Sequence, residues 1–357
     1  MNKAMRLAQR AKAKTFPNPL VGALVVNKGR IISCGYHKKA GLEHAEIQAL
    51  RLAAKQARQA TLYVTLEPCS HFGRTSPCTQ AIVKSGIKQV IVGMLDPNPL
   101  NNGKGVRLLR KQGIKVEVGF LQDQLAKMNE CFVKYTTKKI PYVTVKVGQT
   151  LDGKIATYSG SSQWITSDKS RDYAHRLRDK FDAIMVGVNT VLRDNPRLKA
   201  ASKSKNLIKI IVDSNLSIPS EAQALKSPPV IIATLKATPG QETTNKDILS
   251  SQAQILELKQ KQGLVNLRDM MKKLANLEIS NILVEGGGNL IGSLFDEGLV
   301  DKVLFFISPK IIGGKDAISS VMGKGVAFAD KAVRLKDVRL RRIGEDFLVE
   351  AYVHRNS

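Results

Sequence analysis

The sequence predicts an α/β protein with two domains. Apolar runs of roughly four to eight residues, typical of buried strands, alternate with amphipathic segments of helical period along most of the chain. The length of 357 residues exceeds that of an ordinary single domain, and the polar stretch Thr136–Pro141 near the middle is typical of a linker. We therefore expect one domain over residues 1–140 and a second over residues 141–357.

The first half predicts a sheet covered by helices. Its first two strands are joined by Asn27–Arg30, which is short enough for a hairpin. The predicted strands are Leu20–Val26, Arg30–Tyr36, Thr61–Leu66, Lys88–Met94 and Ile114–Val118. The predicted helices are the N-terminal segment, Glu43–Ala57, Cys78–Ser85, Val106–Gln112 and one that begins at Asp123.

The second half repeats this alternation. Ser167 and Asp168 form an N-cap signal for its first helix. The predicted strands are Tyr142–Val147, Ala183–Gly187, Leu207–Asp213, Val230–Thr234, Asn281–Val284, Lys302–Ile307, Val338–Ile343 and Phe347–Val353. The predicted helices are Ser167–Phe181, Leu264–Leu277 and Asn289–Glu297, and we assign no structure to the polar stretch Lys236–Gln262.

A histidine, a glutamate and two cysteines in the first half predict a catalytic zinc site. His44, Cys69 and Cys78 supply three ligands, which leaves the fourth tetrahedral position for water. Glu46 supplies the carboxylate that moves protons in zinc deaminases, whose signature is H-x-E followed by P-C-x-x-C. Here eight residues separate the cysteines instead of two.

Taken separately, these residues have simpler interpretations. His44 and Glu46 could be a satisfied histidine and an acid that compensates the dipole at a helix start. Cys69 and Cys78 could be ordinary buried thiols, as we expect for Cys34 and Cys131. The combination favours the metal site.

The chain is strongly basic, with 56 Lys and Arg against 30 Asp and Glu. Residues 1–140 carry 24 basic and 7 acidic residues (net +17), and residues 141–357 carry 32 and 23 (net +9). Nucleic-acid binding is therefore an alternative. Since the charges are scattered and the chain has one Trp, we expect no specific nucleic acid partner and favour a basic face that attracts a phosphorylated substrate.

The cysteine content and the hydropathy pattern favour a cytoplasmic protein. Four cysteines in 357 residues do not make a disulfide framework. The N-terminal segment lacks the apolar core of a signal peptide, and no run approaches the roughly 18 apolar residues of a membrane span.

A glycine-rich turn follows the predicted strand Asn281–Val284. Gly286, Gly287 and Gly288 stand between this strand and the next helix, where backbone N–H groups can bind phosphate. The G-x-G-x-x-G spacing is absent, so a tight turn and a phosphate cradle are equally good interpretations. Trp164 could be a core residue or a wall on which a ring stacks.

The motifs of both halves, in their order, resemble the bifunctional riboflavin-biosynthesis deaminase/reductase family. The motifs are Pro17-Asn18-Pro19, Gly35-Tyr36-His37, His44-Ala45-Glu46, Thr65–His71, Gly73-Arg74-Thr75 and Cys78, then Leu151–Ala156, Ser162–Thr166, Gly187–Leu198 and Val284–Gly287. The resemblance implies a cytidine-deaminase-like domain followed by a dihydrofolate-reductase-like domain. The longer cysteine spacing is usual in this family.

The resemblance also implies an activity and the residues that carry it. Zinc-dependent deamination of a phosphoribosylamino-pyrimidine would precede NADPH-dependent reduction of its ribosyl chain to ribityl. We also expect a homo-oligomer. Zinc would be bound by His44, Cys69 and Cys78, with Glu46 catalytic. NADPH would contact Gly148, Trp164, Thr190, Asp194, Ser214, Gly287, Gly288, Asn289, Leu290, Ile291, Gly292 and Ser293. Substrate would contact Asn18 and His37 in the first domain, and Lys146, Ser162, Arg178, Leu198 and Glu285 in the second.

Two positions depart from the family pattern. Asn195 stands where the family often has a second Asp, and Ala201 stands where some members have a substrate-binding Arg. Arg197 is a candidate replacement, and Lys146 and Arg178 are further candidate cations for the substrate phosphate.

Two other functions remain as alternatives. A nucleic-acid-editing deaminase with a C-terminal binding module would explain the charge and the zinc motif, but not Leu151-Asp152-Gly153 or the glycine turn. A metal-stabilised scaffold without activity is disfavoured by the intact Glu46.

Overall fold

The structure, a computed structural model, describes residues 1–11, 14–72, 76–202, 205–236 and 244–354, except for the side chains of residues 244 and 245. The chain divides into two units, Met1–Ile140 and Pro141–Ser357. Each unit has its own sheet.

The sheet of the first unit has five strands in the order β2-β1-β3-β4-β5. Strand β1 lies antiparallel to β2 and β3, whereas β3, β4 and β5 are parallel. The strands are β1 (Gly22–Asn27), β2 (Arg30–Tyr36), β3 (Thr61–Leu66), β4 (Gln89–Met94) and β5 (Lys115–Val118). The helices are α1 (Asn2–Gln9), α2 (Ala45–Ala53), α3 (Cys78–Lys84), α4 (Lys104–Lys111), α5 (Gln122–Met128) and α6 (Glu130–Lys138).

Helices and sheet of this unit share one apolar core. Leu62 and Val64 of β3 and Ile82 of α3 are fully buried in it. This packing fixes the carboxyl end of β3, which leads into Glu67–Cys69, beside the first turns of α2 and α3. The predicted metal ligands are therefore placed at one edge of the sheet.

The sheet of the second unit has nine strands in the order β11-β10-β9-β8-β14-β6-β15-β18-β17. The strands from β11 to β15 are parallel, and β18 and β17 close the sheet in antiparallel fashion. These strands are β6 (Tyr142–Thr150), β8 (Ala183–Gly187), β9 (Ile208–Val212), β10 (Val230–Leu235), β11 (Gln254–Leu258), β14 (Asn281–Val284), β15 (Lys302–Ser308), β17 (Leu335–Ile343) and β18 (Asp346–Val353).

Two small sheets and five helices complete this unit. One small sheet pairs β7 (Lys154–Ala156) with β16 (Ile318–Ser319), and the other is the hairpin of β12 (Gln260–Lys261) and β13 (Leu264–Val265). The helices are α7 (Asp168–Leu177), α8 (Val188–Asp194), α9 (Thr244–Ser250), α10 (Leu267–Asn276) and α11 (Gly288–Asp296). Short 3-10 turns span Arg178–Lys180 and Ala329–Lys331 in this unit and Ala54–Ala57, after α2, in the first.

The predicted α/β class is confirmed, and most predicted elements lie within one to three residues of the observed ones. Ser167 caps α7 as expected, because its hydroxyl accepts the backbone N–H of Ser170. Central strands such as β14 are buried along their whole length, as parallel strands between helices are.

Two sequence-based expectations were wrong, and one stretch without an assignment contains regular structure. Residues 136–138 of the predicted linker are the last turn of α6, so only residues 139–141 connect the units. The helix predicted over Leu264–Leu277 begins at Leu267, because Leu264 and Val265 pair with the preceding strand of the hairpin. The stretch without an assignment contains β11, which adds a parallel edge strand to β10. Among the described residues, no helix has the length and apolarity required to cross a membrane.

Candidate metal centre and candidate cofactor cleft

The side chains of His44, Cys69 and Cys78 converge at one edge of the first sheet. Their ligand atoms all lie within 4.8 Å of one another. His44 Nδ1 lies 3.2 Å from Cys78 Sγ and 3.7 Å from Cys69 Sγ. His44 is the N-cap of α2 with an extended backbone, and Cys78 is the first residue of α3. Two of the three ligands are therefore held where a helix begins, and Cys69 lies in the loop after β3.

This geometry fits a zinc ion. Zn–S bonds of about 2.3 Å and Zn–N bonds of about 2.0 Å place tetrahedral ligand atoms about 3.6 Å apart. The two N···S distances bracket that value. A carbonyl or carboxylate as fourth ligand is not needed, because catalytic sites leave that position to water.

Glu46 lies in the first turn of α2 and is 4% exposed. Burial raises the pKa of its carboxyl to about 7, and the nearby Cys69 also raises it, against the opposing effect of His44. A carboxyl with a pKa near neutrality can both accept and return a proton. The helix predicted over Glu43–Ala57 begins at Ala45, so His44 precedes it with an extended backbone, whereas Glu46 lies in its first turn.

The two thiols have unlike environments. Cys69 Sγ accepts the backbone N–H of Cys78 at 3.2 Å. Hydrogen bonds from Cys78 and His44 lower the pKa of the Cys69 thiol to about 4. The hydrogen bond to Cys69 and burial raise the pKa of the Cys78 thiol. Cys69 is thus a thiolate at neutral pH, the form in which cysteine binds a metal.

Asn18 and His37 lie beside this centre. His37 Nδ1 is 3.2 Å from the carbonyl oxygen of Glu43, which can only accept, so Nδ1 carries the proton. His37 Nε2 then accepts from Asn18 Nδ2 at 3.2 Å. Burial lowers the pKa of His37, which keeps the ring neutral. Its ring stands edge-on to that of His44, with centroids 5.5 Å apart.

A buried carboxylate that the sequence argument missed holds the loop of Cys69. Glu67 is 3% exposed and accepts the backbone N–H groups of Asp96 at 3.1 Å, Gly103 at 2.9 Å and Val106 at 3.0 Å. These bonds tie the segment that follows β3 to the loop and helix that follow β4.

Asn101 completes this tie. Its Oδ1 accepts the backbone N–H of Ser70 at 3.0 Å and the Ser70 hydroxyl at 2.8 Å, while its Nδ2 donates to Asp96 at 3.2 Å. Cys69 is therefore flanked on both sides by anchored residues. The position of Glu67, an acid directly before Pro68-Cys69, was the sequence signal that could have identified this role. Gly73, Arg74 and Thr75 of the family motif lie outside the described residues.

The second unit contains a cleft of about 1000 Å³ along the carboxyl ends of its parallel strands. Ligands bind at this edge in open α/β sheets. The cleft is lined by the turns after β8, β9 and β14 and by the β12–β13 hairpin.

The glycine turn after β14 is consistent with both interpretations from the sequence, a tightly packed turn and a phosphate cradle. A Cβ on Gly288 would lie 2.3 Å from the carbonyl oxygen of Ser319, and one on Gly292 would lie 1.6 Å from that of Met322. These two glycines are therefore required for close packing. Gly287, the N-cap of α11, faces the cleft, and a Cβ there would approach nothing closer than 3.7 Å.

Nine of the seventeen residues predicted to bind NADPH or substrate in this domain line the cleft. Those that line it are Ser162, Thr190, Asp194, Ser214, Gly287, Gly288, Asn289, Leu290 and Ser293. The cleft also has lining residues that the prediction missed, among them Asn189, Asn215, Ser217 and Lys261. Asn215 and Ser217 follow a correctly predicted strand, and the rule that sites lie at the carboxyl ends of strands could have found them.

Eight predicted residues do not line this cleft, and three of them, Lys146, Arg178 and Glu285, form an ion cluster of their own. Ile291 is 1% exposed and Gly292 is packed against Met322, because each step along α11 rotates the side chain by about 100°. Leu198 belongs to a hydrophobic cluster and is 3% exposed. Gly148 faces Thr166. Trp164 is 62% exposed, with the Arg171 guanidinium 4.2 Å from its ring centroid, so it is not the core residue that the sequence left open.

Lys146, Arg178 and Glu285 form a buried ion cluster outside the cleft lining. Arg178 binds Glu285 through Nε–Oε1 at 2.9 Å and Nη2–Oε2 at 3.1 Å, and Lys146 Nζ lies 3.7 Å from Glu285 Oε2. Burial alone would raise the pKa of Glu285, but the charges of Arg178 and Lys146 outweigh it and hold this pKa at about 2. Arg197, the candidate replacement for the missing Arg, is exposed, and Asn195 caps α8 and accepts the backbone N–H of Gln223.

Comparisons with known proteins agree with this division of the chain. Residues 141–349 match the family model of the RibD C-terminal domain, and residues 1–94 match that of the cytidine and deoxycytidylate deaminase zinc-binding region. Riboflavin biosynthesis protein RibD of Aquifex aeolicus is 44% identical over 354 residues, covering 98% of this chain and 96% of that protein. The protein of the same name in Escherichia coli is 35% identical, covering 97% and 96%.

Solved structures give the same result. Acinetobacter baumannii RibD superposes with a TM-score of 0.87 at 32% identity, covering 99% of this chain and 98% of the other. The diaminohydroxyphosphoribosylaminopyrimidine deaminase/5-amino-6-(5-phosphoribosylamino)uracil reductase of Thermotoga maritima superposes with a TM-score of 0.84 at 35% identity, covering 99% and 97%.

Proposed function

The chain belongs to the RibD family of riboflavin biosynthesis proteins, and we propose on this premise which of its residues carry out the two reactions of a bifunctional deaminase and reductase. The first unit deaminates diaminohydroxyphosphoribosylaminopyrimidine with zinc, and the second reduces 5-amino-6-(5-phosphoribosylamino)uracil with NADPH. The RibD C-terminal domain accounts for the half of the chain that an editing deaminase would leave unexplained.

In the first unit, His44, Cys69 and Cys78 hold the metal. When bound, zinc supplies a water of lowered pKa in the fourth ligand position. Glu46 would accept one proton from the attacking water and pass it to the ring nitrogen, and would then carry the hydroxyl proton of the tetrahedral adduct to the amine, which leaves as ammonia. Its buried position excludes bulk water from the proton path.

The substrate is oriented by Asn18 and His37. Since His37 Nδ1 is fixed as a donor to the Glu43 carbonyl, the Asn18 amide is held by the remaining ring nitrogen. His37 packs edge-on against the His44 ring and is linked to Asn18, which supports a role of this pair in holding the pyrimidine beside the metal ligands.

In the second unit, the cleft holds the cofactor, with the N-terminus of α11 toward its pyrophosphate. NADPH supplies the hydride for the opened ribose. Lys146, in the middle of β6, and Glu285, which directly follows the neighbouring strand β14, contact the sugar end of the substrate. Arg178 keeps Glu285 ionised and in place.

The convergence of His44, Cys69 and Cys78 around buried Glu46 is the observation that carries this proposal. The test supplies the pure full-length chain with each pyrimidine in turn. We expect ammonia release from the diaminopyrimidine phosphate, loss of this release after zinc chelation, and NADPH oxidation with the deaminated compound that persists after chelation. Release of ammonia from RNA but not from the pyrimidine would contradict the proposal.

A homo-oligomer built on strand β17 is part of the proposal. This strand is the edge of the nine-stranded sheet, and residues 335–342 are exposed. They include the apolar side chains Val338 at 59% and Leu340 at 64% exposure. An exposed edge strand is a template for pairing with another chain, and the identical strand of a second copy is the partner that we propose for it.

A cytoplasmic location is supported by the cysteines. Cys34, Cys69 and Cys78 are free thiols, as expected in a reducing compartment.

A further inference from the structure

The cleft of the second unit runs across several strands, and its two ends differ. The order of neighbouring strands is β10-β9-β8-β14-β6. Lys146 and Glu285, assigned to the substrate, belong to β6 and to the end of β14. The turn after β9 and the β12–β13 hairpin line the cleft toward the opposite side. A dinucleotide with its nicotinamide near the substrate and its pyrophosphate at α11 therefore has its adenosine near β9 and the hairpin.

The turn after β9 offers hydroxyl and amide groups at this end. Ser214, Asn215 and Ser217 line the cleft. Asp213 fixes them, because its carboxylate accepts the backbone N–H of Asn215 at 3.3 Å and the Ser217 hydroxyl at 3.0 Å. The sequence from Ser214 to Ile218 contains no cation. A second phosphate on the adenosine would need a positive charge from elsewhere.

The hairpin supplies that charge. The backbone N–H of Val265 donates to Ser214 Oγ at 3.3 Å, which ties the hairpin to the turn after β9. Lys261 lines the cleft from this hairpin, and its side chain is 49% exposed. Its ammonium binds Glu297, whose other carboxylate oxygen accepts Arg268 Nε at 2.8 Å. The carboxylate is thus shared by two cations, and the cluster keeps a net positive charge.

We propose that Lys261 binds the 2′-phosphate of the NADPH adenosine and makes the reductase discriminate against NADH. This inference rests on the proposed cofactor cleft. An ammonium has three donors, so Lys261 can bind a phosphate oxygen while it keeps its bond to Glu297. Glu297 then serves as a positioning residue that holds the lysine at the rim.

Two other cations line the cleft and are less suited to this role. Lys324 lies beside Asp296, whose carboxylate accepts the Lys324 backbone N–H at 2.9 Å and opposes a second anion there. Arg193 lies next to Gly160, on the segment that carries Ser162 of the substrate pocket.

Equilibrium binding of oxidised cofactors to the full-length chain tests the inference. Calorimetry compares NADP+ with NAD+ for the natural protein, for Lys261→Gln and for Lys261→Arg. We expect Lys261→Gln to weaken NADP+ about tenfold, the effect of losing one charge-assisted contact, and to leave NAD+ within about twofold. Lys261→Arg should keep the preference for NADP+, and the salt dependence of NADP+ binding should fall in Lys261→Gln.

Lys259→Gln is the matched control, because it removes the same charge from an exposed residue beside the hairpin that does not line the cleft. We expect it to change neither constant by more than about twofold. Equal weakening of NADP+ and NAD+ in Lys261→Gln, no change in either, or loss of the preference in Lys324→Gln instead would overturn the role of Lys261. Failure of the natural protein to bind either dinucleotide would overturn the proposed cleft as well.

Discussion

Arg178 and Glu285 form two parallel hydrogen bonds, with Nε 2.9 Å from Oε1 and Nη2 3.1 Å from Oε2. The third branch of the guanidinium donates to the carbonyl oxygen of Lys199 at 2.9 Å. The fork is therefore occupied within the protein. Our expectation that it binds the substrate phosphate is replaced by a role in holding a buried carboxylate ionised.

Replacement of Arg178 should destabilise the second unit in a pH-dependent way. Arg178→Ala leaves Glu285 buried beside Lys146 alone, and breaking such a pair costs about 3 kcal/mol of the unfolding free energy at pH 7. The pKa of Glu285 lies at about 2, below its ordinary value of 4.5. Its ionised form therefore stabilises the natural protein above pH 4.5, and this contribution is lost as the pH falls toward 2.

Urea unfolding at pH 7 and at lower pH measures this effect. We expect the difference between the natural protein and Arg178→Ala to be largest at pH 7 and to narrow below about pH 4.5. Arg176→Ala, at an exposed position two residues earlier on α7, is the control and should change stability by less than about 0.5 kcal/mol. A difference that is independent of pH would contradict the role of the pair.

Glu46 and Cys69 should separate catalysis from metal binding. Glu46→Gln should retain zinc, because Glu46 is not among the converging ligands, and should lower ammonia release by at least about a hundredfold through loss of proton transfer. Cys69→Ser should lose zinc. Metal content by atomic absorption and ammonia release are measured for both variants. Zinc lost in Glu46→Gln and kept in Cys69→Ser would reverse the roles assigned to these residues.

Glu67 should be required for the shape of the metal loop. In Glu67→Gln the amide nitrogen cannot accept the backbone N–H groups that the carboxylate now accepts, so we expect a loss of about 2 kcal/mol in the first unit and weaker zinc binding. Competition with a chromophoric chelator measures the zinc affinity. Glu43→Gln, which removes an exposed partner of Arg51, is the control, and an equal effect of both variants would show that Glu67 has no special role.

Leu340 should be needed for self-association. Leu340→Lys puts a charge on the exposed edge strand, and we expect the mass measured by light scattering to fall to that of a single chain, 39.1 kDa. Thr137→Lys, at an exposed site in the first unit, should leave the mass unchanged. If the unchanged protein is already monomeric at micromolar concentration, the proposal that β17 mediates self-association is wrong.

The sequence by itself determined the α/β class, most strands and the parts of the metal centre. Strands such as Thr61–Leu66 and Asn281–Val284 were predicted with the observed bounds because their apolar runs end at polar or glycine residues. His44, Cys69 and Cys78 were identifiable because a metal accepts few side-chain types. The predicted cofactors and the two predicted reactions came from the resemblance to a family, which depends on the order of the motifs.

Only the tertiary structure decided what each of the remaining polar side chains contacts. Glu67 bonds to residues 29 to 39 positions away, and Arg178 meets Glu285 across 107 positions, separations that local periodicity does not encode. The same holds for Gly292, whose need for a hydrogen side chain comes from the Met322 carbonyl rather than from a phosphate. Local sequence specifies backbone conformation through short-range sterics and burial pattern, whereas the partner of a buried charge is set by which strands and loops the packed core brings together.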